Sequence, residues 1–198
     1  MADCWTCGAE RGRAAFCPSC NKIQPVIDNT SYFVTLGLAP RMGLSRSELD
    51  RGFREVSRQV HPDRFGKQSR LERRLALEQT TQVNDAYRTL KKPRTRAEYL
   101  MKARGHDVGK ETDRVTDMEF LTEMMELREE LSDATTIAEI NPLHEKIESR
   151  YETHIDELTR FFDEGQGEES DALRALERLR FYERFLDEVD LKLEARQD

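Results

Sequence analysis

A mainly α-helical fold is predicted by three observations. Apolar residues recur at three- and four-residue intervals along most of the chain. Strand-like alternation is missing outside the first 24 residues. Charged residues, at 36%, nearly equal hydrophobic ones, at 37%, so the core must be thin and spread along packed helices. The 198 residues divide into three segments: a cysteine-rich module at 1–24, a helical domain at 25–105 and a three-helix bundle at 106–198.

The first segment holds all four cysteines, in "CWTCGAERGRAAFCPSC". Cys4-x-x-Cys7 and Cys17-x-x-Cys20 form two knuckles, and facing knuckles present four thiolates in the tetrahedral array that zinc accepts. A closed four-cysteine site leaves no open position for a substrate, so the metal is structural. Iron takes the same four ligands, and the sequence does not choose between the two. Two disulfides are the alternative, disfavoured in a reducing compartment. Gly8 and Pro18 suit the tight knuckle turns, and Trp5 and Phe16 are expected to cover the metal loops in a β-hairpin too short to build its own core.

In the second segment "SYFVTLGL" forms a short apolar turn ended by Gly37. "LSRSELDRGFREVSRQV" opens with a capping box, Ser45-x-x-Glu48. Leu49, Phe53, Val56 and Val60 share one helical face, and Arg51, Arg54 and Arg58 lie opposite. Pro62 stops this helix at His61. A second helix is predicted over about 67–91, with Leu71, Leu75, Val83, Ala86, Tyr87 and Leu90 as its buried stripe and Pro93 as its stop. His61-Pro62-Asp63 thus occupies the loop of an antiparallel helix pair, and "RTRAEYLMKARG" adds a short helix closed at Gly105.

The third segment predicts helices at about 116–132, 141–163 and 170–194, separated by "SDATT" and "EGQGEES". On the first, Phe120, Met124, Leu127 and Leu131 make a core stripe. Met118, Leu121 and Met125 lie roughly 100–160° around from it, a second stripe that a bundle helix does not need. On the last, Leu179, Tyr182, Leu186 and Leu193 share a side, and Phe181 stands nearly opposite them. These surplus residues either bind a partner or are covered by the short "RAEYL" helix or the helical domain.

Charge is divided along the chain. Residues 1–105 carry 20 Lys and Arg against 11 Asp and Glu, and residues 106–198 carry 12 against 28. Halves of opposite sign suit two different partners or attract one another. No apolar run approaches a membrane span, and the start has neither an apolar signal core nor the Arg- and Ser-rich opening of a transit peptide, so the protein reads as intracellular. The sequence carries no GxSxG, HExxH or P-loop, and nothing local to His61 offers it a partner acid, so an enzyme is not expected.

The tripeptide HPD alone turns up by chance in about one chain in a hundred of this length, so its specificity comes from its setting. An arginine-faced helix, HPD and a complementary second helix together resemble the J-domain, the module by which co-chaperones stimulate the ATPase of DnaK-type chaperones. "VNDAYRTLKKPRTRAEYL" carries the likeness onward. The resemblance implies that Arg51, Arg54, Arg58 and Arg64 dock on an acidic partner surface. It also implies that Asp63 meets a partner arginine, that Pro62 fixes the loop and that His61 completes the contact.

"AYRTLKKPRTRAEYLMKARG", "FLTEMMELREEL" and "RLRFYERF" extend the likeness to the HscB/Jac-type co-chaperones of iron–sulfur cluster assembly. "CWTCG" and "FCPSC" resemble the N-terminal extension of the branch found in animal and plant mitochondria and some bacteria. Membership implies a DnaK/HscA-type ATPase and an IscU-type scaffold as partners, with the scaffold held at Leu121, Met125, Glu126, Glu129 and Phe181. Thr122 stands where a methionine is common in bacterial members, which reduces apolar contact there, and Asp133 replaces a longer acid. The implied place is the bacterial cytoplasm or, in a eukaryote, the mitochondrial matrix. The sequence leaves open whether the cysteine module pairs two chains in a weak homodimer or packs on the J-domain.

Two rivals remain. A general J-protein for unfolded clients would lack scaffold specificity. A zinc-ribbon nucleic-acid-binding protein would use the three arginines on phosphates, but the acidic third segment and the missing stacking aromatics oppose it.

Overall fold

In a computed structural model of the chain, described over residues 2–106, 108 and 117–196, helices dominate. Two compact units divide it, Met1–Arg96 and Ala97–Asp198. Strands β1 (Ala2–Asp3) and β2 (Glu10–Arg11) form an antiparallel hairpin in the cysteine segment, where the sequence places it. Helices α1 (Tyr32–Thr35), α2 (Arg46–Val60), α3 (Arg70–Lys91) and α4 (Pro93–Ala103) follow. The division between the units falls inside α4.

In the first unit, α1 and α2 pack on α3. Helix α2 starts at the predicted capping box: Ser45 accepts from the Glu48 N–H, and Glu48 accepts from the Ser45 N–H. Leu49 and Val60 are buried, and Phe53 and Val56 half-buried. Between them Gly52 faces the end of α1 so closely that a Cβ there would lie 2.7 Å from the Leu36 carbonyl oxygen. Helix α3 opens on a second capping box, Ser69 with Glu72, which moves its start to Arg70 from the expected 67. Tyr87 joins α3 to α2: its ring stacks on Phe53 at 4.2 Å and its hydroxyl donates to Asp50 at 2.7 Å. Pro93 occupies the first position of α4, where its missing N–H costs nothing. Buried Arg96 donates to the Met42 and Leu44 carbonyls at 2.9 and 2.8 Å.

The second unit is built on α5 (Met118–Asp133), α6 (Ile137–Thr159) and α7 (Glu169–Glu194). The expected start of α5 at 116 lies outside the described residues. Phe120, Met124, Leu127 and Leu131 are its buried stripe, as the periodicity predicts, and they join Ile140, Leu143, Ile147, Tyr182, Phe185 and Val189 in one core. Helix α6 begins at Ile137, ahead of the expected 141, because Thr136 and Glu139 form a capping box that holds the first turn despite Pro142. It ends in a single π turn, Arg160–Glu164, closed by Gly165 in the left-handed region at φ 67°. Lys192 of α7 donates to the Leu131 and Ser132 carbonyls at the C-terminal end of α5, where the helix dipole favours a cation, and Arg196, just past α7, donates to the Thr135 carbonyl just past α5.

Gly52→Ala tests the close approach of α1 and α2. Alanine gains about 1 kcal/mol of helix propensity, but overpacking against Leu36 costs about 1–3 kcal/mol. A net lowering of the urea midpoint is expected, and a raised midpoint would show that α1 moves aside freely.

Acid should act through carboxylates held below their ordinary range. Glu72 is lowered by the hydrogen bond from Lys22 and then that of Ser69, Asp50 by that of Tyr87, and Asp117 by the Phe120 N–H and then Arg178. Because their folded values lie below the unfolded ones of about 4, the unfolded chain takes up protons first as pH falls. Melting temperature should therefore hold from neutrality to about pH 5 and drop steeply below about pH 4. A profile flat to pH 3 would mean that these bonds contribute nothing.

Candidate functional site

Helix α2 ends at Val60, and His61 leaves helical geometry at φ −54°, ψ 129°, as a residue before proline must. Pro62 then starts a 3₁₀ turn, Pro62–Phe65. The turn is pinned from within: the Arg64 N–H donates to the His61 carbonyl at 3.0 Å, and Arg64 Nη1 reaches the Arg58 carbonyl at 3.3 Å. It is pinned from below by Phe65, its one buried residue. The Asp63 N–H leans toward His61 Nδ1 at 3.4 Å. The Asp63 side chain remains 91% exposed on this fixed backbone. Arg51, Arg54, Arg58, His61 and Arg64 line one depression of about 840 Å³, so the structure brings together the basic face and the loop that the sequence singled out.

The cysteines also converge. Cys4 and Cys20 Sγ are 3.6 Å apart, Cys7 and Cys17 Sγ 3.8 Å, and all four sulfurs lie within 4.8 Å of one another. A tetrahedral ion with ligands at about 2.3 Å needs sulfurs about 3.8 Å apart, so the cluster is able to hold a metal ion. Both knuckles close in the same way. Gly8 donates to the Cys4 carbonyl and Cys4 to that of Ala9; Asn21 donates to the Cys17 carbonyl and Cys17 to that of Lys22. Gly8 and Asn21 take the same left-handed position, at φ 69° and 55°. The sequence points to Gly8 but not to Asn21, although asparagine is the usual substitute for glycine there. Trp5 is 41% exposed, and its indole N–H donates to the Ile23 carbonyl at 2.6 Å, so it ties the first knuckle to the strip after the second.

The thiols titrate unequally without a cation. Burial raises Cys4, but the Cys7 and Thr6 N–H groups and the neighbouring thiols outweigh it and bring Cys4 to about 6. At Cys20 the Lys22 N–H favours the thiolate, yet burial and the other three sulfurs push it to about 12. Four adjacent thiolates repel, and a bound cation is what lets all of them ionise together.

On the bundle, Met118 and Met125 are 72% and 73% exposed, Leu121 is half-buried, and Glu126 and Glu129 are exposed. The second stripe of α5 is therefore open to solvent at both methionines. Phe181 is half-buried and meets Phe120 edge-on at 5.5 Å, which joins α7 to α5 beside Leu121.

Sequence patterns did not reveal Lys22, Ile23 and Gln24, which pack the cysteine module on α3. Lys22 pairs with Glu72 at 2.8 Å, Ile23 is buried with Phe65, Leu75 and Ala76, and the Gln24 carbonyl accepts from Gln79 at 2.8 Å. The apolar Ile23 next to the last knuckle was the one available signal.

A DnaJ domain model matches residues 31–99, and the HSCB C-terminal oligomerisation domain matches residues 116–190. An Arabidopsis thaliana protein, the iron-sulfur cluster co-chaperone protein HscB homolog, is 34% identical over 192 residues, 97% of this chain and 75% of its own. A co-chaperone protein HscB homolog of Paraburkholderia phymatum is 34% identical over 84% of this chain and 95% of its own. The crystal structure of human co-chaperone protein HscB superposes with a TM-score of 0.86 at 28% identity, covering 96% of this chain and 98% of that one. Similar along almost its entire length, the chain belongs to the HscB family of iron–sulfur cluster co-chaperones, J-domain proteins that serve a DnaK-type chaperone and are not themselves enzymes.

Proposed function

We propose that this protein binds an IscU-type iron–sulfur scaffold through α5 and α7, delivers it to a DnaK/HscA-type ATPase and triggers ATP hydrolysis through His61-Pro62-Asp63, driving cluster release or transfer. The observation that carries this reading is the exposed Asp63 carboxylate beside the depression formed by Arg51, Arg54, Arg58, His61 and Arg64. The arginines steer the loop onto an acidic surface and give salt-sensitive association. Asp63 accepts a partner arginine in charge-assisted hydrogen bonds. Pro62 and the pinned turn reduce the ordering cost of docking. Nucleic acid fits this site poorly, because Asp63 would face phosphate.

The scaffold reading rests on Met118 and Met125, whose flexible thioethers suit an irregular apolar partner surface. Leu121 and Phe181 extend the patch, and Glu126 and Glu129 orient the partner at its rim. The four cysteines are assigned to structural zinc, since a closed tetrahedral thiolate set leaves no position for chemistry. Free thiols at this spacing belong in a reducing compartment, the bacterial cytoplasm or mitochondrial matrix.

Single-turnover ATP hydrolysis by the cognate chaperone, with and without scaffold, tests the loop. His61→Gln should lose stimulation about ten-fold or more, roughly 1.4 kcal/mol of barrier, while scaffold binding stays normal. Normal stimulation by this variant would end the J-domain reading of the loop.

Leu121→Ala with Met125→Ala tests the client face. Scaffold affinity should fall about ten-fold or more, with only a modest drop in melting temperature, because Met125 is exposed and Leu121 half-buried. Unchanged affinity, read by calorimetry, would place the scaffold elsewhere.

A further inference from the structure

The cysteine module and the loop between α2 and α3 share one short strip of chain, Lys22-Ile23-Gln24. On one side the strip belongs to the sulfur cluster. The Cys17 N–H donates to the Lys22 carbonyl at 2.9 Å, Gln24 Nε2 donates to Cys4 Sγ at 3.2 Å, and Ile23 bridges Phe16 in antiparallel register. On the other side it belongs to the loop and α3. Ile23, 1% exposed, lies under Phe65, the buried anchor of the HPD turn, together with Leu75 and Ala76. Lys22 holds Glu72, the residue that closes the capping box of α3, and Gln79 holds the Gln24 backbone. Both ends of the stretch from Phe65 to Glu72 are thus fastened to residues that the four sulfurs keep in place. A groove of about 450 Å³, lined by Phe16, Asn21, Gln59, Arg64, Phe65 and Gln68, sets the second knuckle directly beside this loop.

We propose that Ile23 and Lys22 are positioning residues for the HPD loop, and that the metal state of the Cys4, Cys7, Cys17 and Cys20 cluster sets how strongly the protein triggers its partner's ATPase. This rests on the docking role assigned to the loop above. The module is too small to hold its shape by apolar burial, so its order depends on the ion that neutralises the thiolates. Without the ion the strip loses its sulfur-side bonds and Phe65 loses its cover. The loop then samples more conformations, and fixing it in the triggering pose, after the arginine face has docked, becomes entropically costlier. The arginine face of α2 is held elsewhere, through Asp50, Phe53 and Tyr87 on α3, so encounter with the partner is preserved. The consequence is a weaker trigger at similar docking affinity.

The test titrates the chaperone ATPase with full-length wild type, Ile23→Ser, Ile23→Val, His61→Gln and wild type stripped by a chelator. Amide hydrogen exchange is followed in parallel. Maximal stimulation by Ile23→Ser and by the stripped protein should fall about five-fold, while the half-saturating concentration changes less than about two-fold. Exchange should accelerate selectively at residues 61–72 in both, Ile23→Ser should keep its metal, and Ile23→Val should restore stimulation. If Ile23→Ser fails to fold, the stripped wild type decides alone. Stripped protein with unchanged stimulation and unchanged exchange at 61–72 would overturn the proposal, as would acceleration spread evenly over residues 2–96, which marks a merely structural role. Should wild type stimulate, His61→Gln not, and Ile23→Ser match wild type, this inference alone fails. Should wild type itself not stimulate, the docking role fails and the inference falls with it.

Discussion

Residues 2–96 are ordered against one helix face, that of α3. Its buried residues run from Glu72 through Leu75, Ala76, Gln79, Val83 and Ala86 to Leu90. The first turns of this stripe receive Ile23 and Phe65, and the later turns meet α1 and α2. A chain with as much charge as apolar content can spare few such faces, so one stripe serves four neighbours. Burial on α3 fixes the direction in which α2 arrives, and the direction of α2 fixes where His61-Pro62-Asp63 emerges. Phe65 is the point where that constraint reaches the loop. At about 1.5–3 kcal/mol for burying a large apolar side chain, it is enough to hold a four-residue turn that has few hydrogen bonds of its own.

Polar burial in this unit follows the same geometry. Arg96 reaches the Met42 and Leu44 carbonyls, and Glu72 is satisfied by Lys22 and by its own capping box. Removing one partner from such a set leaves a buried group unpaired, which costs about 1–3 kcal/mol. Bonds of this kind add directionality that apolar contact lacks. They set the register of the cysteine strip on α3, where Ile23 alone could slide.

What the sequence made legible was what repeats locally. The capping box at Ser45, the stripe Phe120, Met124, Leu127 and Leu131, and the paired C-x-x-C knuckles are each written within a few turns of chain. The capping boxes at Ser69 and Thr136 carry the same signature, but the first lies in a run of charged residues and the second stands just before Pro142, which reads as a helix breaker. Asn21 was hidden because asparagine takes the left-handed position less often than glycine. The Lys22–Glu72 pair spans 50 positions, and Gln24 to Gln79 spans 55. No periodicity marks a pairing of that separation. The docking of the cysteine module therefore has no local signature in the sequence.

The open stripe of α5 is consistent with the same economy of apolar surface. Helix α5 is already anchored by four core residues, by Lys192 on its final carbonyls and by Asp117 at its first turn. Met118 and Met125 add nothing to that anchoring, yet each would release about 1.5–3 kcal/mol if a partner removed it from water. Neighbouring acids, Glu126 and Glu129 among them, make self-association through the patch electrostatically unfavourable, because two copies would bring like charges together. A partner with a complementary basic rim avoids that repulsion. On the scaffold reading proposed above, such a face would discriminate by charge and draw its affinity from methionine and leucine, a combination that suits one specific client better than indiscriminate capture of unfolded chains.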